Sequence, residues 1–355
     1  MIEFTKLIIS YCVSPFIVRK ELKPGVSALV CCKDEEYNIA LCLNSLLGLV
    51  DQIICVDHNS TDETYDKMLD FKKKNQSINV IVEKFSDVSL KDARNCGLKH
   101  VEYKWLLNCG GDFVFDIENE EVLRFFEDLR SLNKLQSYQL SYVNLYGDLH
   151  HTYSNSKIVA TGEYYIVKMS KSIKFVENKK FDYLKSPFFY KKKSISTPFF
   201  FHLSGMKDDM RLLYRNCYFE WREIVNYLHS NGITNSPYLD FKYFEKYWRL
   251  ALYGTTNTKS LKYRHSRQIC ELTIKRYDES LHLKYPKVIK DLISRGKERF
   301  KVEYEKNKPY YRKDFKDPTM LNYEPSEEDL GWSIEGFKER IIRKKYLKDI
   351  KNKYK

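Results

Sequence analysis

The stretch Asp51-Gln52-Ile53-Ile54-Cys55-Val56-Asp57 most constrains what this chain can fold into. Ile53 to Val56 form an unbroken apolar run, the pattern of a strand buried on both faces of a sheet. The run stops at Asp57, and the polar turn His58-Asn59-Ser60 follows. Thr61 and Asp62 are then suited to cap a helix that starts near Glu63. A carboxylate at the carboxyl end of a buried strand, just before a helix, is where open α/β sheets place their ligands. Asp57 is therefore a candidate for the ribose hydroxyls or base N–H of a nucleotide. The plainer alternative is an ordinary turn and cap, for which Ser, Thr, Asn and Asp are the usual residues.

The same grammar repeats around this stretch. Lys23-Pro24-Gly25 marks a turn, and residues 26–32 read as a first buried strand. Ile39, Cys42, Leu43, Leu46 and Leu47 recur at helical spacing before Gly48. Residues 79–82 and 104–109 read as further strands, with a helix over 89–100 between them. Strands alternating with helices predict a Rossmann-like, largely parallel sheet. The pattern changes after Phe115. A helix over 118–132 is followed by strand-like segments at 135–146 and 158–168, a loop over 186–198 and a short strand at 199–203. Beyond Met206 the chain reads as helical, basic and rich in tyrosine. Residues 300–333 look irregular, and 334–355 look like one basic helix. The expected division is an N-terminal arm over 1–25, a main domain over 26–215 with halves at 26–115 and 116–215, and a helical basic region over 216–355.

Residues 7–18 are apolar but too short to span a bilayer, and Pro15 interrupts them. No basic segment precedes them as in a signal peptide, so a strand or packing arm is the expectation. The formal net charge of +13 calls for an anionic partner: phosphorylated ligands, an anionic membrane surface or nucleic acid. No nucleic-acid module is visible, so nucleic acid is not expected. The nine cysteines fall largely inside apolar runs without a paired spacing, which reads as reduced thiols in a cytoplasmic protein, with peripheral membrane association as the variant.

Three further stretches carry polar chemistry. Lys33-Asp34-Glu35-Glu36-Tyr37-Asn38 follows the first strand directly. Lys91-Asp92-Ala93-Arg94-Asn95 lies in a helix, where Arg94 offers a planar fork of donors suited to a diphosphate. Trp105-Leu-Leu-Asn108-Cys109-Gly110-Gly111-Asp112 is a second apolar strand ending at a carboxylate. Asp112 can bind a divalent cation that bridges diphosphate oxygens, and Gly111 lets backbone approach a ligand closely.

In order and spacing these elements resemble family 2 glycosyltransferases of the GT-A fold. Lys33 to Glu36 matches a Lys-Asn-Glu-Glu-like loop, Val56 to Asp62 a Val-Asp-x-x-Ser-Thr-Asp turn, Ala93 to Asn95 an Ala-Arg-Asn element, and Gly110 to Asp112 the Asp-x-Asp motif. The resemblance implies a mixed, mostly parallel sheet flanked by helices, with a basic helical C-terminal extension. It implies a glycosyltransferase that moves a sugar from a nucleotide-diphosphate donor, UDP-sugar ahead of GDP-sugar, to a carbohydrate or glycoconjugate hydroxyl with inversion. Lys33, Asp34, Glu36, Asp57, Arg94 and Gly111 would line the donor. Asp182 falls where relatives carry the general base, with Phe181 in place of a His and Glu177 as the fallback. Phe201-His202-Leu-Ser-Gly-Met-Lys207 resembles a His-Leu-x-x-x-Lys stretch. There His202 would join Asp112 on a divalent cation, Mn²⁺ ahead of Mg²⁺, and Lys207 or Arg211 would meet the leaving diphosphate. The chain departs from the pattern at Gly110, where the first Asp of Asp-x-Asp is absent. A GT-A module that binds nucleotide sugar without turnover is the alternative.

Overall fold

The computed structural model describes residues 2–17, 19, 21–153, 159–177, 182–279, 283–343 and 345–354. In chain order the elements run α1 (Ile2–Ile17), β1 (Lys23–Cys32), α2 (Ile39–Leu46), β2 (Gln52–Asp57), α3 (Thr64–Lys74), β3 (Asn79–Lys84), α4 (Leu90–Leu98), β4 (Tyr103–Cys109) and β5 (Phe113–Phe115). Next come α5 (Glu120–Ser131), β6 (Gln136–Asn144), β7 (His151–Tyr153), β8 (Val159–Lys168), β9 (Lys174–Glu177), β10 (Asp182–Lys185) and β11 (Lys191–His202). The remainder comprises α6 (Asp209–Ser230), α7 (Phe241–Tyr253), α8 (Thr258–Gln268), β12 (Ile274–Arg276), α9 (Lys287–Ser294), β13 (Phe300–Glu305), β14 (Lys308–Asp314), α10 (Pro318–Leu321), α11 (Glu327–Leu330), α12 (Ile334–Arg343) and α13 (Lys345–Lys353). Two compact units result: Met1–Leu145, Ser156–Ser204 and Tyr277–Lys297 in the first, and Tyr146–Asn155, Gly205–Arg276 and Glu298–Lys355 in the second. The units interleave along the chain, whereas the sequence reading divided it linearly near residues 25 and 215.

The first unit is built on an eight-stranded sheet of order β3-β2-β1-β4-β8-β6-β11-β5. β1 pairs in parallel with β2 and β4, and β2 with β3, while β8 runs antiparallel to both β4 and β6. The all-apolar strands are buried on both faces, as the unbroken run at Ile53–Val56 requires. On one face Val30, Cys32, Ile53 and Cys55 meet Ile39, Leu43 and Leu46 of α2, Met68 and Phe71 of α3, and Val122 and Phe126 of α5. On the other, Leu29, Cys31, Ile54 and Val56 meet Ala93 and Leu98 of α4. Gly97 permits that closeness, since a Cβ there would stand 2.5 Å from the Leu29 side chain and 2.9 Å from Val56. From β1 to β4 the strand-and-helix order is the one expected, and β5 is an addition to it.

Four expectations are corrected. Residues 7–17 belong to helix α1, not to a strand; a helix satisfies its backbone groups without a partner strand. Lys191–Pro198, expected as loop, are the first part of β11, which runs parallel to β6. Pro198, the residue that suggested a loop, sits at an irregularity in the pairing, where a missing N–H is tolerated. Part of the "irregular" 300–333 segment is the β13–β14 hairpin, whose Lys306 and Asn307 turn at φ 46° and 65°; an Asn at positive φ is a hairpin signal. The terminal basic stretch is two helices, α12 and α13.

Lys168 is a polar residue inside the first unit's sheet. It is buried, donates from Nζ to the Leu132 carbonyl at 3.1 Å, and lies 5.2 Å from the Trp105 ring centroid. Burial, with Lys104 adding a like charge, pushes this ammonium down to about 8. The folded chain therefore releases this proton near pH 8 while the unfolded chain holds it to about 10.4, so stability rises with pH across that window. The Leu132 carbonyl keeps the Trp105 Nε1 donor at 3.2 Å without the lysine. Lys168→Met is expected to stabilise the unit by about 1–3 kcal/mol at pH 7 and to flatten the pH 8–10 rise. Denaturant titrations at pH 7, 8.5 and 10 check this.

Candidate functional site

The site is assembled where β1, β2 and β4 end. Cys32 and Asp57 are register partners, so the loops leaving β1 and β2 emerge side by side. They are welded by reciprocal hydrogen bonds. The Asp34 N–H donates to Ser60 Oγ at 2.8 Å, and Asp34 Oδ1 accepts from the Thr61 N–H at 2.7 Å and from its hydroxyl at 3.2 Å. Glu35 N–H donates to Thr64 Oγ1 at 2.7 Å and Glu36 N–H to Asp62 Oδ2 at 3.2 Å. Asp34 reaches this position at φ 56°, a left-handed conformation that Asp and Asn tolerate best after Gly. Asp62 accepts from the Thr64 N–H at 3.0 Å and so serves the start of α3 as expected, whereas Thr61 serves Asp34. Lys33 is exposed, and the Glu36 carbonyl accepts from Lys67 Nζ at 2.8 Å.

Asp57 itself is fully buried. Its Oδ2 accepts from the Ser60 N–H at 3.1 Å, while Oδ1 is buried without a hydrogen-bond partner among the described residues. An orphaned buried carboxylate oxygen is costly and calls for an explanation. A donor from a bound ligand is one.

The turn after β4 brings the second carboxylate. Gly111 packs on the β1 end: a Cβ there would lie 2.8 Å from Cys32 Sγ and 3.2 Å from Glu35 Cγ. Its lack of a side chain thus serves strand packing. Gly110 is equally tight, since a Cβ would lie 2.7 Å from Asp112 Oδ1 and 3.0 Å from the Phe113 ring. A first Asp at this position would crowd the second. Asp112 Oδ2 stands 3.3 Å from His202 Nε2, and the Asp112 carbonyl accepts from the Leu203 N–H at 2.8 Å. β5 and β11 bring the two together, because Phe113 and His202 are antiparallel register partners. The imidazole is wedged edge-on against Phe113 at 5.0 Å and Tyr142 at 5.4 Å, and its Nδ1 is buried without a partner among the described residues. These aromatic walls were missed from sequence, where Phe113 and Tyr142 show only as apolar strand residues. Among the described residues no group of three or more His, Cys, Asp or Glu converges as a metal site. Asp112 and His202 together offer one carboxylate oxygen and one imidazole nitrogen 3.3 Å apart.

A third cluster lies on the α4 face. Where the sequence reading aimed Arg94 at a diphosphate, its Nη1 donates to Asp182 Oδ2 at 2.8 Å. The guanidinium also lies over Phe175, 5.2 Å from the ring centroid. Asn95 fastens α4 to β9, donating from Nδ2 to the Phe175 carbonyl at 3.0 Å and accepting its N–H at 2.9 Å. The Cys31 thiol is pushed up to about 11, chiefly by burial and against the nearby Arg94 charge. Glu177 is exposed opposite Asp182 in the β9–β10 ladder, and Phe181 lies outside the described residues. Lys207 belongs to the second unit, where its carbonyl accepts from Arg312 Nη2 at 2.8 Å. Arg211 sits in the first turn of α6, its N–H donating to Asp208 Oδ1 at 3.3 Å.

A mostly parallel α/β sheet with carboxylates crowning its strand ends is the class of domain that binds nucleotides at this edge. Residues 27–197 match the family model described as glycosyl transferase family 2, so this segment is similar to that family. No curated protein sequence matches the chain. Among solved structures, Staphylococcus aureus TarS 1–349 in complex with UDP-GlcNAc is similar at 16% identity, over 81% of this chain and 98% of that one, with a TM-score of 0.37. The longer S. aureus TarS structure is similar at 16% identity over 69% of this chain, which spans only 48% of that one, with a TM-score of 0.35. Glucosyl-3-phosphoglycerate synthase from Mycobacterium tuberculosis, with Mg²⁺ and UDP, is similar at 16% identity over 40% of this chain and 47% of that one, with a TM-score of 0.24.

Proposed function

We propose that the chain is a glycosyltransferase that moves a sugar from a nucleoside-diphosphate sugar to an acceptor hydroxyl. The observation that carries the reading is the pair of carboxylates at the ends of β2 and β4, the strands that flank β1: Asp57 with a buried Oδ1 unpartnered among the described residues, and Asp112 beside His202. In this reading Asp57 Oδ1 accepts a hydrogen bond from the ribose or base, and the welded loops hold it there at little cost in ordering. Asp112 and His202 would hold a divalent cation, which when bound supplies positive charge against the leaving diphosphate. The acceptor oxygen bonds to the anomeric carbon as the carbon–diphosphate bond breaks, and its proton passes to Asp182 Oδ1. Arg94 occupies Oδ2 and acts as a positioning residue for that base.

The reading of Asp182 is tested by Asp182→Asn, which keeps shape and an acceptor oxygen for Arg94. Transfer is expected to fall about 10²–10⁴-fold, with donor affinity unchanged. A fall in donor affinity with the transfer rate of bound donor retained would remove Asp182 from the chemistry. Gly110 favours one second reading, a module that binds nucleotide sugar without turnover, because no carboxylate stands at that position. Donor binding without hydrolysis or transfer across a broad acceptor panel would select it.

A further inference from the structure

The first unit carries an apolar surface with a basic collar that the donor site does not use. Phe16 at 77% and Phe188 at 68% relative exposure are the most exposed large hydrophobic side chains among the described residues. Phe16 lies on α1, where Ile8 and Cys12 are also exposed. Residues 8, 12 and 16 fall on one helical stripe. The sequence of α1 holds Glu3 and Lys6 as its charged residues. Phe188 is at the tip of a turn closed by the Tyr190 N–H on the Pro187 carbonyl at 3.1 Å. Both tips flank residues 168–171: the Ile17 carbonyl accepts from the Lys171 N–H, and the Tyr190 hydroxyl donates to the Lys168 carbonyl at 3.1 Å.

Lysines surround them. The Lys171 N–H donates to the Ile17 carbonyl at 3.0 Å, which sets Lys171 at the end of α1. Lys174 and Lys185 are partners across the β9–β10 ladder, at the end away from Asp182. Lys191 and Lys192 open β11 directly after the Phe188 turn. All five are exposed. No helix among the described residues is long and apolar enough to cross a membrane. An apolar helix stripe flanked by aromatic tips and lysines is the composition of an element that lies in a bilayer interface.

We propose that this face docks on an anionic lipid bilayer, with Ile8, Phe16 and Phe188 entering the headgroup region and the lysines meeting lipid phosphates. The occupant is argued from charge: the collar is cationic, and each lysine near an anionic surface is worth about fivefold in affinity. A second copy of this chain would bring the same cations against themselves.

The full chain is mixed with vesicles of phosphatidylcholine alone or with about one-third phosphatidylglycerol, and sedimented. Binding is expected for the anionic vesicles, weakening with salt. Phe16→Ser with Phe188→Ser is expected to weaken it at least about tenfold. Lys174→Glu with Lys185→Glu and Lys191→Glu is expected to weaken it at least about 100-fold. Thermal melting and nucleotide binding of these surface variants should match the parent chain, which separates lost docking from lost fold. Equal sedimentation with both vesicle types, affinity unchanged in both variants, or self-association that the variants abolish would each overturn the proposal. So would binding lost instead on replacing the exposed aromatics Tyr214 and Tyr218 of α6.

Discussion

Asp112→Asn is expected to lower sugar transfer by about 10²–10³-fold while leaving the fold intact. The carboxylate stands on the turn after β4 with Oδ2 at 3.3 Å from His202 Nε2. The amide has the same shape, and the Asp112 main chain keeps its bond from Leu203. The change therefore removes charge and little else. Melting within a few degrees of the parent, with nucleoside-diphosphate release lost, is the expected pair of results. Loss of both would mean that Asp112 holds the β5–β11 junction together and says nothing of chemistry.

Arg312→Met is expected to destabilise the second unit by about 3–5 kcal/mol. Arg312 is buried on β14 and donates to the Gly205 and Lys207 carbonyls at 2.8 Å each and to Gly147 at 3.3 Å. Its Nη2 stands 3.2 Å from Asp209, and its guanidinium lies 4.4 Å from the Phe300 ring centroid. Methionine fills the space against Phe300 but leaves carbonyls and a buried carboxylate short of donors. Asp209 also links this site to pH. Burial alone would raise its carboxyl, but the Arg312 charge and the His265 hydrogen bond outweigh burial and hold it below the usual carboxylate range. The stabilisation is thus complete above the unfolded value near 4 and is lost as pH falls through the lower folded value. Melting curves of the parent chain should fall off below about pH 4, and that fall-off should be shallower in Arg312→Met, whose Asp209 has lost the charge that does most to depress it.

Much of the first unit is legible in the sequence because its strands are buried on both faces. Ile53–Val56 and Trp105–Leu107 can only be interior, and each ends at a turn whose residues read as polar. Asp57, Asp112 and His202 were readable for that reason: each terminates an apolar run. What could not be read is pairing across long separations. Nothing local to Arg94 announces Asp182, 88 residues on. Nothing in Thr61 tells whether it caps a helix or holds Asp34. Lys191–Pro198 read as a loop because a lysine run and a proline outweigh β-propensity locally, yet pairing with β6 supplies what the segment lacks. The second unit was least legible. Its segments 146–155, 205–276 and 298–355 come from three stretches of chain, and its buried polar centre at Asp209, His265 and Arg312 shows in sequence only as three scattered charges among many.

In the proposed reading the ends of β1, β2 and β4 bind a nucleoside-diphosphate sugar for transfer. That reading is tested most directly by nucleoside-diphosphate release from a panel of UDP- and GDP-sugars with Mn²⁺ or Mg²⁺, comparing the parent chain with Asp57→Asn and Asp112→Asn. The expected result is release from at least one donor by the parent chain, with release lost in Asp112→Asn and donor affinity weakened in Asp57→Asn. Release undiminished in both variants, or no binding of any nucleotide sugar by the folded parent chain, would contradict it.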